Sequence, residues 1–186
     1  MKELGLTERI VRLHEALDGA GLPHAFGGAL ALAFCTAEPR VTIDIDVNIF
    51  VDPTRLCDVI AGLPEGLSVA DANRSELEDD GQSRLWWDAT PVDVFLSNHP
   101  FHAHAEANRR SVPFAGVQLP VLACDDLALF KSVFARPKDA FDRAMMPVVS
   151  AIDLDEVEST VTALLDDADE RRAFFTRVRA DLAQLR

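Results

Sequence analysis

The sequence predicts an α/β chain in which a small mixed, twisted sheet is flanked by helices and followed by a helical C-terminal portion. Three observations carry this. From Val41 to Ile49 apolar and polar residues alternate strictly: Val41, Ile43, Ile45, Val47 and Ile49 share one face, and Thr42, Asp44, Asp46 and Asn48 share the other. That is the pattern of a strand with one buried face. Gly27-Gly28 follows a short apolar run and opens a helical-looking segment, Ala29 to Cys35. After Pro147, apolar residues recur at helical spacing, first through Ile152, Val157, Val161, Leu164 and Leu165, then through Phe174, Phe175, Val178 and Leu182. The expected organisation is a core over 1–122 with a helical portion over 123–186 packed on it as one compact unit.

The elements follow in order. Thr7 caps a helix whose Ile10, Leu13 and Leu17 form a stripe and which Gly19 and Gly21 end. Pro23 to Phe26 enters the first strand, Ala29 to Phe34 is apolar enough to be buried, and Thr36 to Arg40 reverses the chain into the acidic strand. Asp52-Pro53 is a helix start that runs to about Ala61. Asp71 to Gln82 is polar and reads as a loop or short helix. Arg84 to Asp88 and Val92 to Leu96 are strands joined by a turn at Ala89-Thr90, with Pro91 where a missing N–H does least harm. Val112 to Pro120 is a hairpin turned at Ala115-Gly116. Asp125 or Asp126 caps a helix bearing Leu127, Leu129, Phe130, Val133 and Phe134, and Pro137 ends it. Two helices, Asp153 to Asp166 and Asp169 to Leu185, complete the chain.

Composition bounds the function. At 186 residues the chain can bury a substantial core. It has neither a long apolar run nor a charged-then-apolar N-terminus, so no membrane span or signal peptide is expected. Cys35, Cys57 and Cys124 are scattered and lack metal spacing, and the expectation is three reduced thiols in a cytoplasm. A net charge of −13 argues against general affinity for nucleic acid.

The acidic strand carries the chemistry. Asp44 and Asp46 stand about 7 Å apart with side chains pointing the same way, so they can converge on one hard cation. Paired glycines at a strand-to-helix turn let backbone N–H groups approach a phosphate at a helix N-terminus. Asp93 faces away from the apolar side of its own strand, and joins Asp44 and Asp46 if the two strands are neighbours. His99, His102 and His104 invite a zinc reading, but no thiolate accompanies them and surface or capping roles are favoured.

Taken together, Gly27-Gly28, Arg40-Val-Thr42-Ile-Asp44-Ile-Asp46, Pro91-Val92-Asp93-Val94-Phe95, and Lys131 followed by Arg136-Pro-Lys138-Asp139 and Asp142 resemble the polymerase-β-type nucleotidyltransferases. The resemblance is in particular to minimal members of the AbiEii and MenT toxin group and covers roughly residues 24–142. It implies the nucleotidyltransferase fold and one or two Mg²⁺ ions held by Asp44, Asp46 and Asp93. It further implies Lys131 as a cation on the triphosphate, and nucleotide contacts from Gly27, Gly28, Arg40, Thr42, Lys131, Arg136 and Asp139. In the family the second glycine is often serine, so Gly28 lacks a hydroxyl contact. The implied activity is transfer of a nucleoside monophosphate from an NTP to an RNA or tRNA 3′ end, with a cognate antitoxin as partner. A small-molecule acceptor such as an aminoglycoside-like antibiotic is the alternative, since the acidic surface suits a cation. A catalytically silent binding module is the third. The KxxxxRxKDxxD run and the arginines of the C-terminus, Arg171, Arg172, Arg177, Arg179 and Arg186, favour RNA; net acidity favours the small acceptor.

Overall fold

The computed structural model describes residues 4–37, 41–133, 152–166, 169–173 and 180. The chain divides into two compact units, Met1–Ala31 with Pro39–Leu122, and Leu32–Glu38 with Ala123–Arg186. Residues 32–38 thus group with the C-terminal unit.

The first unit is a mixed α/β layer structure. Its strands are β1 (His24–Phe26), β2 (Ile45–Ile49), β3 (Leu67–Ser68), β4 (Gln82–Trp87), β5 (Thr90–Leu96), β6 (Arg110–Phe114) and β7 (Val117–Val121). They form one sheet in the order β3-β4-β5-β2-β1-β7-β6. β2 runs parallel to β5 and β1 parallel to β7, while the other neighbours are antiparallel. The helices of this unit are α1 (Leu6–Gly19), the start of α2 (Gly28–Thr36), α3 (Leu56–Gly62), α4 (Asp71–Asp79) and α5 (Phe101–Asn108).

Local chemistry explains these elements. Ile10, Leu13 and Leu17 of α1 are buried as their spacing predicts, and each such side chain contributes about 2 kcal/mol by leaving water. The helix starts at Leu6, where Glu8 accepts a hydrogen bond from the Gly5 N–H at 2.8 Å. Arg9 is buried too, and its guanidinium donates to Asp88 at 2.8 Å and to the Leu4 carbonyl, joining α1 to the β4–β5 turn. Asp52 caps a 3-10 turn, Pro53–Arg55, accepting from the Thr54 N–H at 2.9 Å, and α3 continues from it. Asp71–Asp79 is the short helix, and Ala115-Gly116, both at positive φ, turn the β6–β7 hairpin.

Gly5, in place of the expected Thr7, stands at the cap of α1, and the expectations for the acidic strand and for α2 are also corrected. The acidic strand begins at Ile45, and Val41 and Ile43 are 101% and 77% exposed. The ladder with β5 starts at Ile45↔Val92 and the ladder with β1 ends at Phe26↔Val47, so residues 41–44 pair with neither strand. In α2, Ala31 and Leu32 are buried, but Phe34 is exposed.

The second unit contains residues 32–36 of α2, α6 (Cys124–Val133), α7 (Leu154–Leu164) and a 3-10 turn at Glu170–Arg172. α6 and α7 pack together, with Leu127, Leu129, Phe130, Val157 and Val161 buried. Asp153 caps α7 by accepting from the N–H groups of Asp155 and Glu156, while its own N–H donates to the Asp125 carboxylate at 3.2 Å. Cys35 and Cys124 form a disulfide, which corrects the expectation of three free thiols; Cys57 is free and exposed. Asp169 caps the final turn; Phe134 and the residues expected to continue the last helix, 174–179 and 181–185, lie outside the described residues. Among the described residues no helix is long and apolar enough to cross a membrane.

Candidate active site

The parallel pairing of β2 with β5 places Asp46 directly beside Asp93. Neighbouring strands lie about 4.8 Å apart, so the two carboxylates share one face of the sheet. Asp44 precedes β2 by one residue, and its carboxylate accepts a hydrogen bond from the Thr42 hydroxyl. Thr42 therefore orients a carboxylate here, a use of the hydroxyl distinct from the phosphate contact the sequence suggests.

The glycine pair meets this carboxylate face. The Gly27 N–H donates to the Asp46 carbonyl at 2.9 Å, continuing the β1–β2 ladder past Phe26. Gly28, with φ of +53°, opens α2. A Cβ built there would fall 1.8 Å from Asp46 Oδ2, so the carboxylate lies against the bare Cα. Glycine is required at this position twice over, by its backbone conformation and by the close approach. A Cβ on Gly27 would come within 3.2 Å of the Asn48 amide and 3.3 Å of Leu122. Asn48 is buried, and its Oδ1 has no hydrogen-bond partner among the described residues, leaving an acceptor beside the glycine turn for a water or a ligand donor.

Arg84 was not anticipated as a site residue. It stands opposite Asp93 across the β4–β5 hairpin, and its Nε and Nη2 donate to the two Asp93 oxygens at 2.7 Å each. Asp93 is 6% exposed. The hydrogen bond to Asp93 holds Arg84 more firmly protonated than usual against the opposing cost of burial, and the charges of Asp93, Asp44 and Asp46 add to this. The turn expected at Ala89-Thr90 would have set Arg84 opposite Phe95; the observed turn lies one residue earlier and corrects that register. A two-residue turn at Asp88-Ala89 pairs Trp87 with Thr90, and stepping outward reaches Arg84 opposite Asp93.

Asp44 and Asp46 offer the hard oxygen donors that Mg²⁺ prefers, and Mg²⁺ is commonly held by one or two carboxylates together with substrate phosphates. The donor set fits such an ion through Asp44 and Asp46. Among the described residues, no group of three or more His, Cys, Asp or Glu side chains is arranged to hold a metal by itself. The histidines do not supply an alternative. His102 is buried on α5 with Nδ1 against the His99 carbonyl at 3.0 Å, and His104 pairs with Asn108.

Lys131 lies on α6 of the second unit with a half-buried side chain. Arg40, Arg136, Asp139 and Asp142 lie outside the described residues. A cleft of about 570 Å³, lined by His14, Asp18, His24, Arg109 and Gln118, contains none of the expected site residues. It touches β1 at His24, the end away from Gly28.

No protein-family model matches the chain, and no curated protein matches it in sequence. Solved structures do. The antibiotic-resistance factor ANT(2″)-Ia is similar in its solution structure, with a TM-score of 0.55 and 14% identity over 96% of this chain and 95% of that one. In its crystal structure with adenylyl-2″-tobramycin the TM-score is 0.58, at 15% identity over 92% and 97% of the two chains. The chain therefore has the nucleotidyltransferase fold, which nearly the whole of both chains shares.

Proposed function

We propose that this protein is a Mg²⁺-dependent nucleotidyltransferase that transfers a nucleoside monophosphate from an NTP to a hydroxyl of a small cationic acceptor. The observation that carries the reading is the contact of Gly28 with Asp46, which sets a helix N-terminus against a carboxylate that has Asp93 beside it on the sheet. A helix N-terminus stabilises phosphate and a carboxylate pair stabilises a cation, and an NTP with its metal brings both to one place.

In this reading Asp44, oriented by Thr42, and Asp46, positioned by Gly28, hold the cation that accompanies the triphosphate. When bound, Mg²⁺ supplies charge neutralisation and alignment of the α-phosphorus. The backbone at Gly27 and Gly28 receives the phosphates. Asp93 lies next to Asp46 on the same face, where a carboxylate can accept the proton of the attacking hydroxyl. The new bond joins that oxygen to the α-phosphorus and pyrophosphate leaves.

Two observations favour a small cationic acceptor over RNA. The chain carries a net charge of −13, which attracts polyamines and repels polyphosphate. The described arginines of the C-terminal cluster are engaged internally: Arg171 donates to Asp169, and Arg172 donates to the carbonyls of Thr162 and Leu165. The likeness to ANT(2″)-Ia, known in a complex with adenylyl-2″-tobramycin, supports the same choice.

The test is transfer from each of four α-³²P-labelled NTPs with Mg²⁺, offered a panel of aminoglycosides and total RNA in parallel, beside an Asp44→Asn/Asp46→Asn control. Label on an aminoglycoside that disappears with the double variant supports the proposal. Label on RNA 3′ ends would replace the acceptor and point to a toxin with an antitoxin partner. Transfer to neither would overturn the reading.

A further inference from the structure

Resting on that reading, we infer that Arg84 takes the place of a second metal ion, so that the site works with a single divalent cation held by Asp44 and Asp46. A carboxylate that is to share two ions must offer them its oxygens. Both oxygens of Asp93 instead accept from one guanidinium at 2.7 Å, the fork-to-fork arrangement that arginine makes best.

This pair is built into the sheet. Arg84 and Asp93 are cross-strand partners in the β4–β5 hairpin, so no loop has to close to bring them together. Asp93 is buried on the strand that also carries Val92 and Val94 into the core, which leaves its charge dependent on the guanidinium for compensation. Arg84 also feels Asp44 and Asp46, which favour its charged form. Arg84 thereby sets one fixed positive charge against all three carboxylates. A second divalent ion at Asp93 would stand within a few ångströms of a guanidinium that cannot lose its proton, and the two would repel.

The guanidinium does part of what the second ion would do. It fixes the Asp93 carboxylate in plane beside Asp46, and places positive charge where an attacking hydroxyl must lose its proton. It does not coordinate that hydroxyl. Arg84 is thus a positioning residue, acting through Asp93.

The experiment counts ions with Mn²⁺ as the probe. Mn²⁺ is titrated into the protein in the presence of an α,β-methylene NTP analogue, and free Mn²⁺ is followed by electron paramagnetic resonance. One ion per chain is expected in the wild type. In Arg84→Gln a second, weaker ion is expected, and Arg84→Lys, which keeps the charge but not the fork, should remain at one. Under turnover, the Mg²⁺ dependence of the wild type should be hyperbolic and that of Arg84→Gln sigmoidal. Two ions in the wild type would overturn the inference while leaving the nucleotidyltransferase reading intact, and this arm does not depend on how the variant folds. One ion in a folded Arg84→Gln would overturn it as well. A wild type that binds no Mn²⁺ with the nucleotide would bring down the reading itself, and the inference with it.

Discussion

The carboxylate of Asp46 rests on the Cα of Gly28, with Oδ2 occupying the space a Cβ would need. Gly28→Ala and Gly28→Ser must both move that carboxylate and adopt a positive φ that costs about 1–3 kcal/mol without glycine. The expected loss, including the steric term, is at least about 2 kcal/mol. Urea unfolding measures it, and a Gly28→Ser variant as stable as the wild type would show that the contact is not made.

Asp44 illustrates a site that works against stability. Asp44→Asn keeps an oxygen for the Thr42 hydroxyl and removes one of two neighbouring negative charges. Stability should be unchanged or higher by up to about 1 kcal/mol. Nucleotidyl transfer should fall by at least about a hundredfold. Equal activity in the variant would remove Asp44 from the pair proposed to hold the metal.

His24 and His102 are buried rings whose pKa values burial pushes below the ordinary 6.5. The unfolded chain therefore takes up protons near pH 6.5 that the folded chain refuses. The stability these neutral rings contribute is complete above that pH and is lost as pH falls, by up to about 1.4 kcal/mol per unit for each ring. Unfolding free energies at pH 7.5, 6.0 and 5.0 should decline in that order. His24→Asn should flatten the slope, and an unaltered slope would place the effect elsewhere.

The Cys35–Cys124 bond spans 89 residues of sequence, and closing so long a loop stabilises by about 4–5 kcal/mol in the chain-entropy model. Reduction should lower the unfolding midpoint substantially, Cys35→Ser should mimic reduction, and Cys57→Ser should leave stability alone. Thiol titration of the native chain should find one reactive group, Cys57; three would mean that the bond does not form.

Much of this was legible in the sequence, and the reasons are local. Asp52-Pro53 carries its own cap, the apolar stripe of α1 carries its own face, and the β6–β7 hairpin carries its turn residues. What was not legible depends on partners. The alternation from Val41 to Asp44 is indistinguishable from that of β2, yet a strand needs a ladder, and the ladder with β5 begins only at Ile45↔Val92. Cys35 and Cys124 are joined by the fold, and no spacing rule relates them. Asp93 was recognisable as a carboxylate on the polar side of its strand, whereas its pairing with Arg84 required the hairpin register to be counted.

β1 is three residues long and joins the sheet through two partners, β2 about twenty residues downstream and β7 nearly a hundred residues downstream, the latter through Phe26↔Val121. The β4–β5 hairpin can form from local chain alone, but the strand that delivers the glycine turn waits for distant segments. Such long-range pairing slows folding. Pulsed hydrogen exchange during refolding should protect the amides of β4 and β5 before those of Gly27 and Leu122, and the reverse order would contradict this. On that order the Arg84–Asp93 side of the carboxylate face is in place early in folding, and its glycine side is completed among the last contacts the sheet makes.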